Sequence, residues 1–494
     1  MLFHGNEREL EPILSHPRGV DEVAGRQKVI PDRFNYLLRW LCGWELIEMK
    51  AFVPRVLLLG SLWSASMVNG AGQTYTFTTI AGMAGLSGTN DGASSDARFY
   101  GPAGLALDGA GNIYVSDLGN HTIRKLAPAG TNWIVSTLAG LAGTLGSADG
   151  TNDEARFNHP SAVAVDTASN LFVTDNYNQT VRKLTPIGTN WVVSTVAGLA
   201  GVKGFADGTN SDARFNAPRA IAVDSGDGLY VTDEFNYTVR GVKPVGTNWV
   251  ASTLAGTPGN AYGGFVDGTN GDAEFNLPFG ITRHSGGNLY VADFGNNAIR
   301  KIAPTGSDWV TTTVAGFSAN RGANDGPAST AMFNGPNGIT ADASETLYVA
   351  DQFNHTIRKV APTNSSWVVS TVAGLALHAG STDGTGTSAR FNGPSGIVVD
   401  KAGNLFVADS FNNTIRKGTP ISTPLPALQI LLSATQVVVS WPTAASNLVL
   451  ETASTLGPGA SWTALTNGIV ISGNSQFLTN EFGGGAAFFR LRSQ

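Results

Sequence analysis

The stretch DGTNDEARFNHPSAVAVDTASNLFVTDNYNQTVRKLTPIGTNWVVSTVAG, Asp149–Gly198, contains four short runs rich in Val, Ile, Leu, Thr and aromatic residues. They are Ser161–Asp166, Leu171–Thr174, Thr180–Leu184 and Trp191–Ala197. β-Branched and aromatic residues fit the pleated, half-buried surface of a strand, and the Gly, Asn, Asp and Pro between the runs are turn formers. The stretch therefore predicts four short antiparallel strands.

The same unit recurs along the chain. The Asp that ends its second strand returns as Asp117, Asp175, Asp233, Asp293, Asp351 and Asp409, in steps of 58, 58, 60, 58 and 58. The two extra residues fall in the glycine-rich stretch Gly259–Gly264. A lone four-stranded unit cannot bury both faces of its sheet, whereas units packed in a ring can. The expectation is an all-β, six-bladed β-propeller.

The pattern also says how the ring closes. The run Thr-[Ile/Val/Leu]-Ala-Gly of the outer strand begins at Thr79, Thr137, Thr195, Thr253, Thr313 and Thr371. Its first copy precedes the first inner strand, and no copy follows the last hairpin at Thr414-Ile415-Arg416-Lys417. Tyr75–Gly82 is thus an outer strand without a blade, and pairing it into the sixth unit removes an exposed edge. Tyr75 would then stand where the other blades have Trp133, Trp191, Trp249, Trp309 and Trp367, read as packing between blades.

The Pro-x-Gly-Ile start of the inner strand, the Gly-Asn-Leu-Tyr-Val-x-Asp middle and the Asn-x-Thr-Ile-Arg-Lys return span about Tyr75 to Thr419 in six copies. In these motifs the chain resembles the NHL-repeat family of β-propellers. The resemblance implies the fold, and a binding platform for proteins or ligands or, less often, an enzyme.

The flanks read differently. Met49 opens MKAFVPRVLLLGSLWSASMVNGAGQ, with Lys50 and Arg55 ahead of the apolar run Val56–Trp63, and small residues follow around Val68–Ala71. That is the layout of a secretory signal peptide, and the run is too short for a comfortable membrane span. The expected division is an upstream extension from a wrongly chosen start at 1–48, a leader at 49–71, the propeller at 72–421, a Pro-rich linker at 422–426 and a small module at 427–494. Alternation in Gln436–Trp441 and Asn447–Thr452, with Trp462, Ile469–Ile471 and Phe488–Leu491, predicts strands. This piece resembles the fibronectin-type-III-like β-sandwich modules that end some secreted bacterial proteins. The single cysteine, Cys42, leaves the remainder without disulfides. With 14% charged residues, net charge -6 and no Lys/Arg run, nucleic acid is excluded as a partner. A bacterial secreted, periplasmic or envelope location and no stable membrane span in the mature chain are expected.

Repeated residues are read first as structural, since the same residue in each blade does the same local work. The strand-end Asp series and Asn120, Asn178, Asn236, Asn296, Asn354 and Asn412 fit the hairpin turn. The six arginines of Ile-Arg-Lys (Arg124 to Arg416) are expected to pair with carboxylates or carbonyls. Asp91, Asp149, Asp207, Asp267, Asp325 and Asp383 each precede Gly; they raise a calcium question but lack alternating acidic ligands and a closing Glu, so turns are the reading and no cofactor is expected. No His-x₃-His, His-Glu-x-x-His or Gly-x-Ser-x-Gly spacing is present, and no catalytic residue is assigned.

Departures from the repeat carry the functional reading. The hairpins between second and third strands offer Tyr177, Phe235, Tyr237, Phe353, Phe411, His121 and His355. His159, Arg219 and Phe279 stand around the tunnel mouth, in slots that hold small residues in other blades. Blade four has Glu274 for Arg, and Arg283-His284 for the usual pair ending in Asp. Such a face suits a protein or polysaccharide. The alternatives are a metal-dependent lyase or lactonase with its site in the tunnel, and an envelope scaffold.

Overall fold

Each inner strand begins at the proline of its Pro-x-Gly or Pro-x-Ala run, and the computed structural model places these strands at Pro102–Leu107, Pro160–Val165, Pro218–Val223, Pro278–Arg283, Pro336–Ala341 and Pro394–Val399. A proline lacks an N–H, so it suits the first residue of a strand. The structure describes residues 56–58, 73–259, 262–317, 320–421, 429–432, 436–442, 448–453, 461–465, 469–472, 475–481 and 487–493. The proposed extension 1–48, nearly all of the leader 49–71 and the linker 422–426 lie outside them. Two units are formed, Val68–Pro424 and the combination of Met1–Met67 with Leu425–Gln494.

The first unit is a six-bladed propeller, as the repeat predicts. In blade two the strands are Pro160–Val165, Leu171–Asp175, Thr180–Ile187 and Asn190–Ala197, paired antiparallel in that order. Each sheet has a fifth strand that the pattern did not reveal. It is two residues long, Gly150–Thr151 in blade two, and pairs outside the outer strand. Among the described residues there is no α-helix; each second strand leads into a single 3₁₀ turn such as Leu118–Asn120.

Tyr75–Gly82 completes blade six, running antiparallel to Thr414–Pro420 with Tyr75 opposite Pro420. Trp191 stands opposite Pro186 in the same way. From these positions each outer-strand ring meets the second-strand ring of the preceding blade edge-on. Trp191 meets Tyr114 at 6.2 Å, Trp133 meets Phe406 at 5.8 Å across the closure, and Tyr75 meets Tyr348 at 6.1 Å. Six apolar cores fill the six gaps between adjacent blades; Ile80, Phe406 and Ile415 of blade six, for example, pack with Phe99, Ile113 and Leu126 of blade one.

Around the axis the inner strands approach closely at the glycine of Pro-x-Gly. A Cβ on Gly338 would lie 2.0 Å from the Ser395 carbonyl oxygen, and one on Gly396 2.2 Å from that of Ala103. Backbone at that distance cannot move aside, which explains the glycine in four of the six blades.

The second unit's described strands form two four-stranded sheets. One joins Val56–Leu58, Ala487–Ser493, Leu448–Ala453 and Thr463–Ala464; the other joins Gln429–Leu432, Gln436–Pro442, Ser475–Glu481 and Ile469–Ser472. Val439, Trp441 and Leu450 are buried.

Candidate functional site

The repeated polar residues form a clamp in every blade. Arg240 is fully buried. Its Nη1 donates to Asp233 at 3.0 Å and to the Arg214 carbonyl, and its Nη2 donates to Asp207 at 2.7 Å and to the Ala206 carbonyl. Asp233 also accepts from the Asn216 amide and Asn236 Nδ2. Burial pushes the Asp233 carboxyl up to about 6, against the pull of Arg240 and these donors. Asp207 further accepts from the amide and hydroxyl of Thr253. The Asp-Gly carboxylates thus hold the buried arginine and tie it to the outer strand. The turn reading understated their role.

In five of the six blades the left-handed residue that ends the hairpin is a latch to the next blade. His121 Nδ1 accepts from the His159 amide at 3.2 Å, and His355 Nδ1 accepts from the Gly393 amide at 3.1 Å. Gln179, Asn297 and Asn413 do the same with side-chain oxygens. An imidazole accepting at Nδ1 is neutral, with its proton on Nε2. Burial lowers the pKa of His121, and the neighbouring His159 adds to the effect. Tyr237 occupies the same left-handed position without this bond to its neighbour.

The hairpins and the connections between blades share one end of the propeller, where the Tyr177 amide donates to the Asn158 carbonyl and that of Gly143 to Asn120. Tyr177, Phe235, Phe353 and Phe411 stand exposed at the hairpin tips. In blade one the tip is Gly119, and the ring of Tyr100 covers it. Five exposed aromatic rings therefore crown this end, with blade four as the gap.

Inside the crown the equivalent positions vary from blade to blade. The residue after each strand-end Asp is Leu118, Asn176, Glu234, Phe294, Gln352 or Ser410, and the residue after each inner-strand Pro is Ala103, Ser161, Arg219, Phe279, Asn337 or Ser395. The guanidinium of Arg219 lies over the Phe279 ring at 4.4 Å, and Phe279 stacks on Phe294 at 4.0 Å and 17°. Phe294 meets Phe353 edge-on at 5.5 Å. Glu234 is buried beside Asn176, whose amide donates to it and to the Pro218 carbonyl. Burial raises the Glu234 carboxyl and lowers the Arg219 guanidinium, and the attraction between the two opposes both shifts. On the polar side His159 packs between His121 at 4.7 Å and Tyr177 at 4.4 Å.

The structure brings ten of the eleven sequence-derived candidates to this end. His284 is the exception. Pro278 pairs with Asp293 at the hairpin end, and Arg283 pairs with Leu289 at the other, next to His284. Asn176, Glu234, Phe294, Asn337 and Tyr100 were missed. For Asn176, Glu234 and Phe294 the signal was present as the position after the strand-end Asp, where no two blades agree.

The NHL repeat matches at residues 99–126 and 391–417, which run from the inner strand into the third strand of blades one and six. The chain carries NHL repeats. This NHL propeller is 30% identical over 342 residues to the chloroplastic Protein SUPPRESSOR OF QUENCHING 1 of Arabidopsis thaliana, covering 66% of the chain and 30% of that protein. It is 29% identical over 301 residues to NHL repeat-containing protein 2 of Homo sapiens, covering 55% of the chain and 40% of that protein. The chain thus spans well under half the length of these relatives. Among solved structures, an auxiliary nutrient binding protein from Bacteroides ovatus superposes with a TM-score of 0.53 at 18% identity, over 71% of this chain and 78% of that one. At that identity the likeness is one of fold.

The Arg283-His284 departure in blade four belongs to the opposite end of the NHL propeller and has a structural account. In other blades an Asp caps the turn between the first two strands. Asp108 accepts from the amides of Ala110 and Asn112, from Asn112 Nδ2 and from the Tyr114 hydroxyl. Blade four has His284 there, and Glu345 reaches over from blade five. Glu345 accepts from Asn288 Nδ2 at 3.0 Å and from the Tyr290 hydroxyl, and pairs with Lys301 at 3.5 Å. Its backbone is left-handed, φ +64°, as at the equivalent turn position of the other blades, for example Ser169 and Asp227. Burial alone would raise its pKa; the bonds from Tyr290 and Asn288 and the charge of Lys301 outweigh that and hold it low. Its contribution is therefore present at neutral pH and lost as pH falls through that lowered value. Glu345→Ala is expected to cost about 1–2 kcal/mol in urea unfolding. Adding His284→Asp should recover part of it by restoring the local cap, and no recovery would refute the substitution in trans. Among the described residues no three His, Cys, Asp or Glu side chains converge to hold a metal ion.

Proposed function

We propose that the chain is a secreted bacterial binding protein whose hairpin-loop end captures a protein or glycan. The observation that carries this reading is the crown of five exposed rings around positions that vary from blade to blade. It sits on a scaffold whose repeated polar groups are engaged in clamps and latches. The fold demands no particular residue at these positions, and exposed aromatics gain binding energy when a partner covers them. A neighbour in fold is described as nutrient binding, which agrees with this reading.

The platform is tested by screening the full chain against immobilised glycans and purified extracellular proteins. The pair of substitutions Phe353→Ala and Phe411→Ala is expected to weaken capture at least tenfold with the melting temperature nearly unchanged, because both rings are exposed. Capture unaffected by the pair would move the site elsewhere. Secretion rests on the leader at 49–71, with 427–494 as a fibronectin-type-III-like β-sandwich that serves attachment. Export from a bacterial host should yield a chain whose first residue lies near 70–72. A secreted chain retaining residues before Met49 would refute the leader.

A further inference from the structure

The axis is the one place on a six-fold ring where a single small ligand can touch every blade. Substituents there need not obey the repeat, and here they do not. The mouth holds one cation, Arg219, and one carboxylate, Glu234, whose charges cancel, while His121 is neutral through its accepted amide hydrogen bond. Such a mouth gives no net field to select an ion. It does offer acceptors and donors side by side. Glu234 presents carboxylate oxygens; the Arg219 guanidinium is stacked on Phe279, and no protein hydrogen bond occupies it among the described residues. Asn337, 7% exposed, is two positions beyond Gly335, against which the Phe353 and Phe294 rings pack, and its Nδ2 is buried without a partner. Rings continue outward on both sides of these groups, Tyr177 through His159 on one and Phe353 through Phe294 on the other.

Hydroxyl groups both donate and accept, and the C–H faces of a pyranose pack on aromatic rings. We infer that the axial mouth is a subsite for a neutral sugar residue of a glycan, with Glu234 accepting from its hydroxyls, Arg219 and Asn337 donating to them, and Tyr177 and Phe353 flanking it. This deepens the platform reading above and rests on it. An anionic sugar would gain from Arg219 but meet Glu234; a cationic ligand would meet the reverse.

The ring itself supplies substitutions that the fold accepts. Ser stands at the Arg219 and Asn337 position in blades two and six (Ser161, Ser395), and Gln stands at the Glu234 position in blade five (Gln352). The full chain and its variants Arg219→Ser, Asn337→Ser and Glu234→Gln would be titrated calorimetrically with cellohexaose, xylohexaose, mannohexaose and, as the acidic probe, oligogalacturonate. The expected result is binding of at least one neutral oligosaccharide, weakened tenfold or more by Arg219→Ser and Glu234→Gln, with melting temperatures close to the parent. Preference for oligogalacturonate would overturn the neutral sugar. Neutral sugar binding that all three variants leave intact would overturn the axial placement while the platform reading stands. Binding of no sugar overturns the inference; if the protein and glycan screen also finds no partner, the platform reading falls with it.

Discussion

Asp233→Ala is expected to lower the unfolding free energy by about 3–5 kcal/mol, the typical effect of removing one partner of a buried ion pair. The side chain of Asp233 is fully buried, and so is Arg240 beside it. Without the carboxylate the guanidinium remains out of water with half its neutralising charge gone, and the Asn216 amide and Asn236 Nδ2 lose their acceptor. Arg240 also lies over the Phe215 ring at 5.1 Å, so it cannot swing to solvent without opening that core. Asp207→Ala removes a shorter bond to the same arginine, 2.7 Å against 3.0 Å, but the Asp207 side chain is 51% exposed. Water can take its place, and a loss of roughly 1–2 kcal/mol is expected. The comparison is made by urea unfolding of the full chain, with an unchanged denaturant slope confirming that both variants begin from the same fold. Equal losses, or a larger loss from Asp207→Ala, would mean that burial of the pair is not what makes the clamp matter.

That contrast also marks what could be read from the sequence. The four longer strands of each blade, the repeat and the closing strand were legible because burial imposes the same alternation in every blade, whereas the two-residue fifth strand is too short to leave a pattern. The identity of the clamp was half legible. Arginine in six copies implied partners, but the partner at Asp207 lies 33 residues earlier in the chain and only folding brings it near. Glu345 was hidden for the same reason. Its partners Asn288 and Tyr290 belong to the preceding blade, so inspection of blade four alone shows a defect and not its repair. The latches were misread for a different reason. His121 and His355 suggested ligand chemistry by residue type, whereas Gln179, Asn297 and Asn413 at the equivalent positions reveal that a side-chain acceptor is what the position requires. Reading columns across blades, and not residues along one blade, would have separated the latches from the mouth, where Arg219, Glu234 and Phe294 follow no shared requirement.

The closure carries the second large effect, and the volumes opposite each other in the blades set its direction. At one pair of facing positions in the third and outer strands, the blades hold Leu126 with Val135, Leu184 with Val193, Val242 with Ala251, Ile302 with Thr311 and Val360 with Val369. Blade six holds Gly418 with Phe77. The large ring comes from the N-terminal strand, and the glycine makes room for it: a Cβ on Gly418 would lie 2.4 Å from Phe77 Cζ. Phe77 is fully buried and meets Phe391 edge-on at 5.0 Å. Phe77→Ala should therefore cost about 3–5 kcal/mol, since the facing glycine offers nothing to fill the cavity. Gly418→Val should cost about 1–3 kcal/mol by overpacking against the ring. Together, Phe77→Val and Gly418→Val recreate the Val360–Val369 pair of blade five, and their costs should fall well short of additive, with a coupling of about 1–2 kcal/mol in the double-mutant cycle. Additive losses would place the closing strand's stabilisation in its backbone pairing to Thr414–Pro420. Strong coupling would locate it in the packing of one N-terminal ring into a space that the last blade leaves open, so that the two ends of the propeller recognise each other by side-chain volume as well as by hydrogen bonds.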